Sequence, residues 1–162
     1  LLTPATVCLA VPLYQQLSLL KKHARAILAG TVTGVLTTMA TVLVLALLFQ
    51  LTHEQYVTFL PKSITTAIGM GVSEEMGGIV TITVACIIIT GIIGNIIAET
   101  VCRLFHITEP VAKGIAIGSA SHAIGTTKAM EMGEIEGAMS SLAIAVSGLC
   151  TVLFASVFAN FI

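Results

Sequence analysis

Three stretches of the chain run without a formal charge for long enough to cross a membrane. The first, residues 26–49 from Ala26 to Phe49, would extend about 36 Å as a helix, against a hydrocarbon core of about 30 Å. Residues 79–98 and 137–162 are the second and third. All three are read as spanning helices. Residues 1–20 are uncharged too, but Pro4 and Pro12 interrupt them, so a helix there is expected to break or to begin at a proline.

Two further apolar stretches are too short to span alone: residues 63–73, 11 long, and 114–127, 14 long. Short or glycine-interrupted segments of this kind mark binding regions in transporters, because irregular backbone at membrane depth is tolerated only inside protein or beside a water-filled cavity. An internal echo links the two. Ala67-Ile68-Gly69 recurs as Ala123-Ile124-Gly125 and Glu75-Met76-Gly77 as Glu131-Met132-Gly133, both at an offset of 56. Chance coincidence in a chain rich in Ala, Ile and Gly is one explanation. The shared spacing, and the long apolar run after each copy, favour a duplicated unit. The pattern predicts an all-α, polytopic transmembrane bundle with discontinuous or re-entrant helices. It forms a single membrane domain over 1–162, with repeat-like units at 61–98 and 117–162.

Composition agrees. Of 162 residues 56% are hydrophobic and 9% charged, against about 25% charged in soluble domains, and the mean hydropathy is +1.05. A net charge of -1 offers no basic field for nucleic acid. Cys8, Cys86, Cys102 and Cys150 are scattered and read as apolar fillers rather than a zinc or redox pair. Residue 1 is Leu and no signal peptide is recognisable, so the protein is expected to begin earlier, with an N-terminal portion missing here.

Charge bias sets orientation. Lys21, Lys22 and Arg25 before the first span place that end in the cytoplasm. Arg103 and Lys113 place the 99–113 linker there as well. Residues 61–78 must then enter from outside and return without crossing, and the second copy enters from inside, an inverted arrangement. Were 61–78 to cross completely, the copies would be parallel.

The second break offers chemistry. Gly114, Gly118 and His122 are spaced i, i+4, i+8, which puts the imidazole on a stripe of small residues, and Gly125 lets the helix break beyond it. Broken helices expose unpaired N–H groups that favour anions, and Ser119, Ser121, Thr126 and Thr127 add hydroxyls. His122 is either a structural histidine bonded to a carbonyl or a ligand donor that titrates near neutrality. Lys128 either pairs with Glu131 at a helix end or supplies charge at a cavity mouth. In the first copy Ser63, Thr65 and Thr66 precede Gly69, and Thr66 stands where His122 stands, so the site suits a substrate with unlike ends. Lys62 is a charge attractor or an interface lysine. Asn95, the amide inside a span, either bonds a neighbouring helix or lines the path. Gly30 and Gly34, with Thr37 or Thr38 and Thr41 extending the face, read as a packing surface. A lone histidine makes no metal site, no cofactor is implied, and no nucleophile-base-acid spacing or phosphate loop marks an enzyme.

Leu2-Thr3-Pro4-Ala5-Thr6-Val7, Val11-Pro12-Leu13-Tyr14, Pro61-Lys62-Ser63 and Ser121-His122-Ala123-Ile124-Gly125-Thr126, with Lys128 and Glu131, resemble the LrgB/CidB family of bacterial inner-membrane proteins across the whole chain. The resemblance implies further N-terminal spans and a small membrane partner of the LrgA/CidA type. It implies two functions: antiholin-like regulation of murein hydrolase activity and lysis, or, as in plastid glycolate/glycerate translocators and pyruvate systems, carriage of small monocarboxylates. Pro61, Lys62, Ser63, Ser121, His122, Gly125, Thr126, Lys128 and Glu131 become the substrate-facing set. Ile68-Gly69-Met70-Gly71 carries an extra glycine relative to that pattern. A secondary carrier in the bacterial inner membrane is the expected function, and the lysis regulator the alternative.

Overall fold

The computed structural model describes residue 14 and residues 17–162, and among these helices are the only regular elements. They are α1 (Leu17–Leu48), α2 (His53–Phe59), α3 (Thr66–Glu75), α4 (Val80–Leu104), α5 (Pro110–Met132) and α6 (Glu134–Ala159). The break expected around Pro4 and Pro12 lies outside the described residues. The three helices long and apolar enough to cross a membrane are α1 from Lys21 onward, α4 and α6. Each contains most of one uncharged run and extends it at the charged end. Exposed Lys21, Lys22 and Arg25 continue α1, Arg103 continues α4, and Glu134 begins α6. Charged side chains on the outer turns of such helices reach water while the backbone stays helical.

The ends of the bundle follow from its contacts. Near the start of α1, Ile27 clusters with Ala138 and Met139 at the start of α6, while Met39 and Ala46 cluster with Cys150 and Ala155. Helices α1 and α6 therefore run parallel, from a lower end to an upper one. Residues 49–52 turn the chain at the upper end. There Thr52 and Gln55 form a reciprocal capping box that starts α2, and the Tyr56 hydroxyl donates to the carbonyl of Phe158, 2.9 Å away. Helix α4 starts at this upper end and crosses to the lower one, carrying Ile88, Ile89, Ile92, Ile93, Ile96 and Ile97 outward, Ile96 with 71% of its surface exposed. So large an apolar face belongs against lipid.

Between the crossing helices lie two helical hairpins. The first is α2, an irregular segment 60–65 and α3. Thr58 Oγ1 accepts from the Ile79 amide at 2.8 Å, Thr83 Oγ1 donates to the Thr58 carbonyl at 2.8 Å, and Ser73 lies 2.8 Å from the same Thr83 hydroxyl. Both arms thus open at the level where α4 begins. The chain descends through Pro61, whose carbonyl lies against Gly69, and climbs back along α3 without crossing. The second hairpin is α5, broken at His122, whose φ of 45° and ψ of -142° interrupt the helix. Its first arm, 110–121, rises from the lower end. Its second arm descends beside α4, with Asn95 bonded to Ile124 and Thr127, and Lys128 3.8 Å from Glu99. The two hairpins enter from opposite ends.

Candidate functional site

The hairpin tips meet at Ile87, within the first third of α4. The Ile87 side chain packs on Gly69 of the first hairpin, and its carbonyl accepts a hydrogen bond from His122 Nε2 of the second at 2.8 Å. A carbonyl in mid-helix has a second lone pair to offer, and the buried imidazole, 3% exposed, satisfies its ring N–H there. The structural role weighed for His122 is the one its geometry displays.

The tip of the second hairpin is seated on two glycines of α4. A Cβ at Gly91 would lie 2.7 Å from His122 Cε1, and one at Gly94 would overlap the Ser121 side chain. Past the break, Thr126 Oγ1 donates to the His122 carbonyl at 2.9 Å, which leaves Ser140 of α6 to donate to Thr126 at 2.7 Å. The break occurs at His122 itself and not beyond Gly125. Gly125 is helical and buried, with space for a Cβ already taken by Ser121 and Ile117. The stripe expected for Gly114, Gly118 and His122 is also divided. Gly114 and Gly118 pack against the α6 backbone at Glu136 and Ser140, whereas the break turns His122 toward α4.

At the first tip, Lys62 Nζ donates to Ser63 Oγ at 3.1 Å. Thr65 is the N-cap of α3 but makes no capping bond with its side chain, so the first amides of α3, from Thr66 on, have no such partner. Buried Gly69 allows α3 to lie directly on Ile87. Of the expected site residues, Ser63, Thr65, Thr66, Gly69, Ser121, His122, Gly125 and Thr126 thus belong to the two tips. Asn95 instead holds the second arm to α4, donating to the Ile124 carbonyl at 2.9 Å and to Thr127 Oγ1 at 2.8 Å. Lys128 lies down that arm, 3.1 Å from Glu131 and 3.8 Å from Glu99.

Gly30 and Gly34 carry out their expected packing role, against Ile115 and Ser119 of α5. Two polar groups of α6 beside the hairpins, Ser140 and Thr151, were not singled out, and Thr38 of α1 was read only as extending the glycine packing face. With Ser63, Ser119 and the apolar Val35, Met39, Leu60 and Ile64, Thr38 and Thr151 line a small void of ≈ 10 Å³ between α1, the first tip, the first arm of α5 and α6. In the sequence they are hydroxyls within uncharged spans, where Ser and Thr usually serve helix packing. Among the described residues no group of histidine, cysteine and carboxylate side chains is arranged to hold a metal ion.

Crossing helices with two broken hairpins between them define a polytopic membrane protein whose irregular backbone is enclosed by its own helices. The chain belongs to the LrgB-like family, whose model matches residues 1–161. It is 38% identical over 161 residues to proteins named antiholin-like protein LrgB from Bacillus mycoides (strain KBAB4), Bacillus cereus (strain B4264) and Bacillus anthracis (strain CDC 684 / NRRL 3495), covering 99% of this chain and 70% of each relative. No solved structure matches it.

Proposed function

We propose that the chain is the carrier component of a secondary transport system for small monocarboxylates of the glycolate, glycerate or pyruvate kind. One observation carries this reading: α3 and the second arm of α5 both begin at mid-bundle tips, after entering from opposite ends. Helix N-termini bear partial positive charge and unpaired amides, so two that converge away from water favour a small anion. Thr66, the first residue of α3, and His122, the break in α5, are 56 positions apart, which supports an inverted repeat. Among the seven Lys and Arg, Lys21, Lys22, Arg25, Arg103, Lys113 and Lys128 belong to the lower end or to the arm that returns to it. The positive-inside rule makes that end cytoplasmic. The mechanism is alternating access, with the hairpins exposing the tips first to one side and then to the other.

The names of the relatives favour a second reading more than this one: an antiholin-like regulator of murein hydrolase activity and lysis. Such a protein would act with a small membrane partner of the LrgA/CidA type, and the same partner suits the carrier. The LrgB-like family is not an enzyme family. Uptake of labelled glycolate and pyruvate into proteoliposomes, with and without the partner, separates the readings. Saturable uptake supports the carrier. Dye leakage that grows with oligomer formation, without uptake, supports the regulator.

A further inference from the structure

At the lower end of the bundle a pocket of ≈ 370 Å³ opens between the last turns of α4, the turn that follows it, and the first turns of α5 and α6. Its ionisable walls are Glu99 and Arg103 of α4, exposed His106 of the turn, Lys113 of α5 and Glu136 of α6. Glu99 and Arg103 satisfy each other at 3.6 Å, and Lys128 lies 3.8 Å from the same carboxylate. Lys113 and Glu136 form no ion pair among the described residues, although the Glu136 carbonyl lies against Gly114, the residue after Lys113. The Glu136 side chain also accepts no hydrogen bond from a described residue, and it is only 8% exposed. A carboxylate taken out of water without a cation or a donor is costly, and its place in the first turn of α6 offsets only part of that cost.

The pocket thus offers one unpaired anion and one unpaired cation on neighbouring segments of chain. A simple anion is drawn to Lys113 but repelled by Glu136, and a simple cation meets the reverse. A ligand that carries both charges suits both walls. We propose that this pocket is a binding site for a small zwitterionic α-amino acid, whose ammonium donates to Glu136 and whose carboxylate accepts from Lys113. Ile107 and Met132 supply an apolar wall for a short side chain, and the remaining volume holds bridging water. Lys113 stands at the base of the first arm of the second hairpin, and Glu136 just beyond Gly133, where the second arm ends. The bound ligand therefore bridges the two arms at their open ends and stabilises the folded protein.

The site lies at the lower end and away from the tips, so its test needs no transport. Binding of labelled alanine to the purified protein in detergent is measured by scintillation proximity, with unlabelled ethylammonium and glycolate as competitors that each carry one of the two charges. Native protein should bind alanine saturably, and neither competitor should displace it at the concentration at which unlabelled alanine does. Glu136→Gln and Lys113→Met should each weaken binding about tenfold or more, as expected when a charged hydrogen bond is lost. Glu134→Gln, exposed in the same turn of α6, should leave it unchanged. Alanine should also raise the unfolding midpoint of the native protein but not that of Glu136→Gln. Absence of saturable binding by the native protein overturns the proposal without any variant, as does displacement by ethylammonium or by glycolate as readily as by alanine. Binding that survives both substitutions overturns it too.

Discussion

The imidazole of His122 and the carbonyl of Ile87, 35 residues apart in sequence, are joined by a 2.8 Å hydrogen bond in the middle of the bundle. This bond holds the second hairpin open at a backbone conformation with φ of 45°. Positive φ costs a residue with a Cβ of order 1–3 kcal/mol and is almost free for glycine. His122→Ala should therefore lower stability by about 1–3 kcal/mol through the lost bond and the space left behind. His122→Gly should be no less stable than His122→Ala although it removes another carbon. Thermal unfolding of both variants in detergent checks the order. A glycine variant clearly less stable than the alanine one would show that the backbone at 122 is unstrained.

Gly94 and Gly71 make a matched pair for testing the seat of the second hairpin. A Cβ at Gly94 collides with Ser121, whereas one at Gly71 meets nothing within 4 Å. Gly94→Ala should destabilise by about 1–3 kcal/mol. Gly71→Ala, within α3, should be neutral or stabilising by up to about 1 kcal/mol. The unfolding midpoints of the two variants measured side by side provide the check.

The hydroxyl clamp at Thr58 ties the first hairpin to α4 through the Ile79 amide, 2.8 Å from Thr58 Oγ1. Thr58→Val keeps the shape and removes the acceptor. The Ile79 amide should then exchange with solvent at least tenfold faster, as expected when about 1.4 kcal/mol of local protection is lost. Hydrogen exchange read by mass spectrometry over the segment containing residue 79 reports this, and unchanged exchange would mean that packing alone holds the junction.

Asn95→Leu should weaken attachment of the second arm by only about 0.6–1.7 kcal/mol, the range for polar bonds between helices in membranes. Loss of both its bonds, to Ile124 and Thr127, leaves the His122 bond in place. Stability should fall modestly, and the variant should retain uptake. Abolished uptake with unchanged stability would move Asn95 from the scaffold into the substrate path.

Much of this architecture was legible in the chain. Runs without charge located α1, α4 and α6, and short glycine-bearing stretches located both hairpins. Helix ends were less legible, because a run stops at its first charge while the helix continues, as at Arg25 and Glu99. Position of the second break was misread for a related reason. Local propensity points to Gly125, but the bond from His122 to Ile87 is a tertiary contact that no neighbouring residue announces. Thr38 was legible only as part of a packing face and Thr151 not at all, because their convergence on one void with Ser63 and Ser119 depends on how four elements assemble.

Site-directed labelling tests the opposed hairpins most directly. In a background with the native cysteines replaced, Thr66→Cys and Ala123→Cys are exposed in turn to a membrane-impermeant thiol reagent on each face of oriented vesicles. The account predicts that Cys at 66 reacts from the outer face and Cys at 123 from the cytoplasmic face, and that glycolate suppresses both reactions. Reaction of both positions from the same face, or labelling indifferent to glycolate and pyruvate alike, would contradict it.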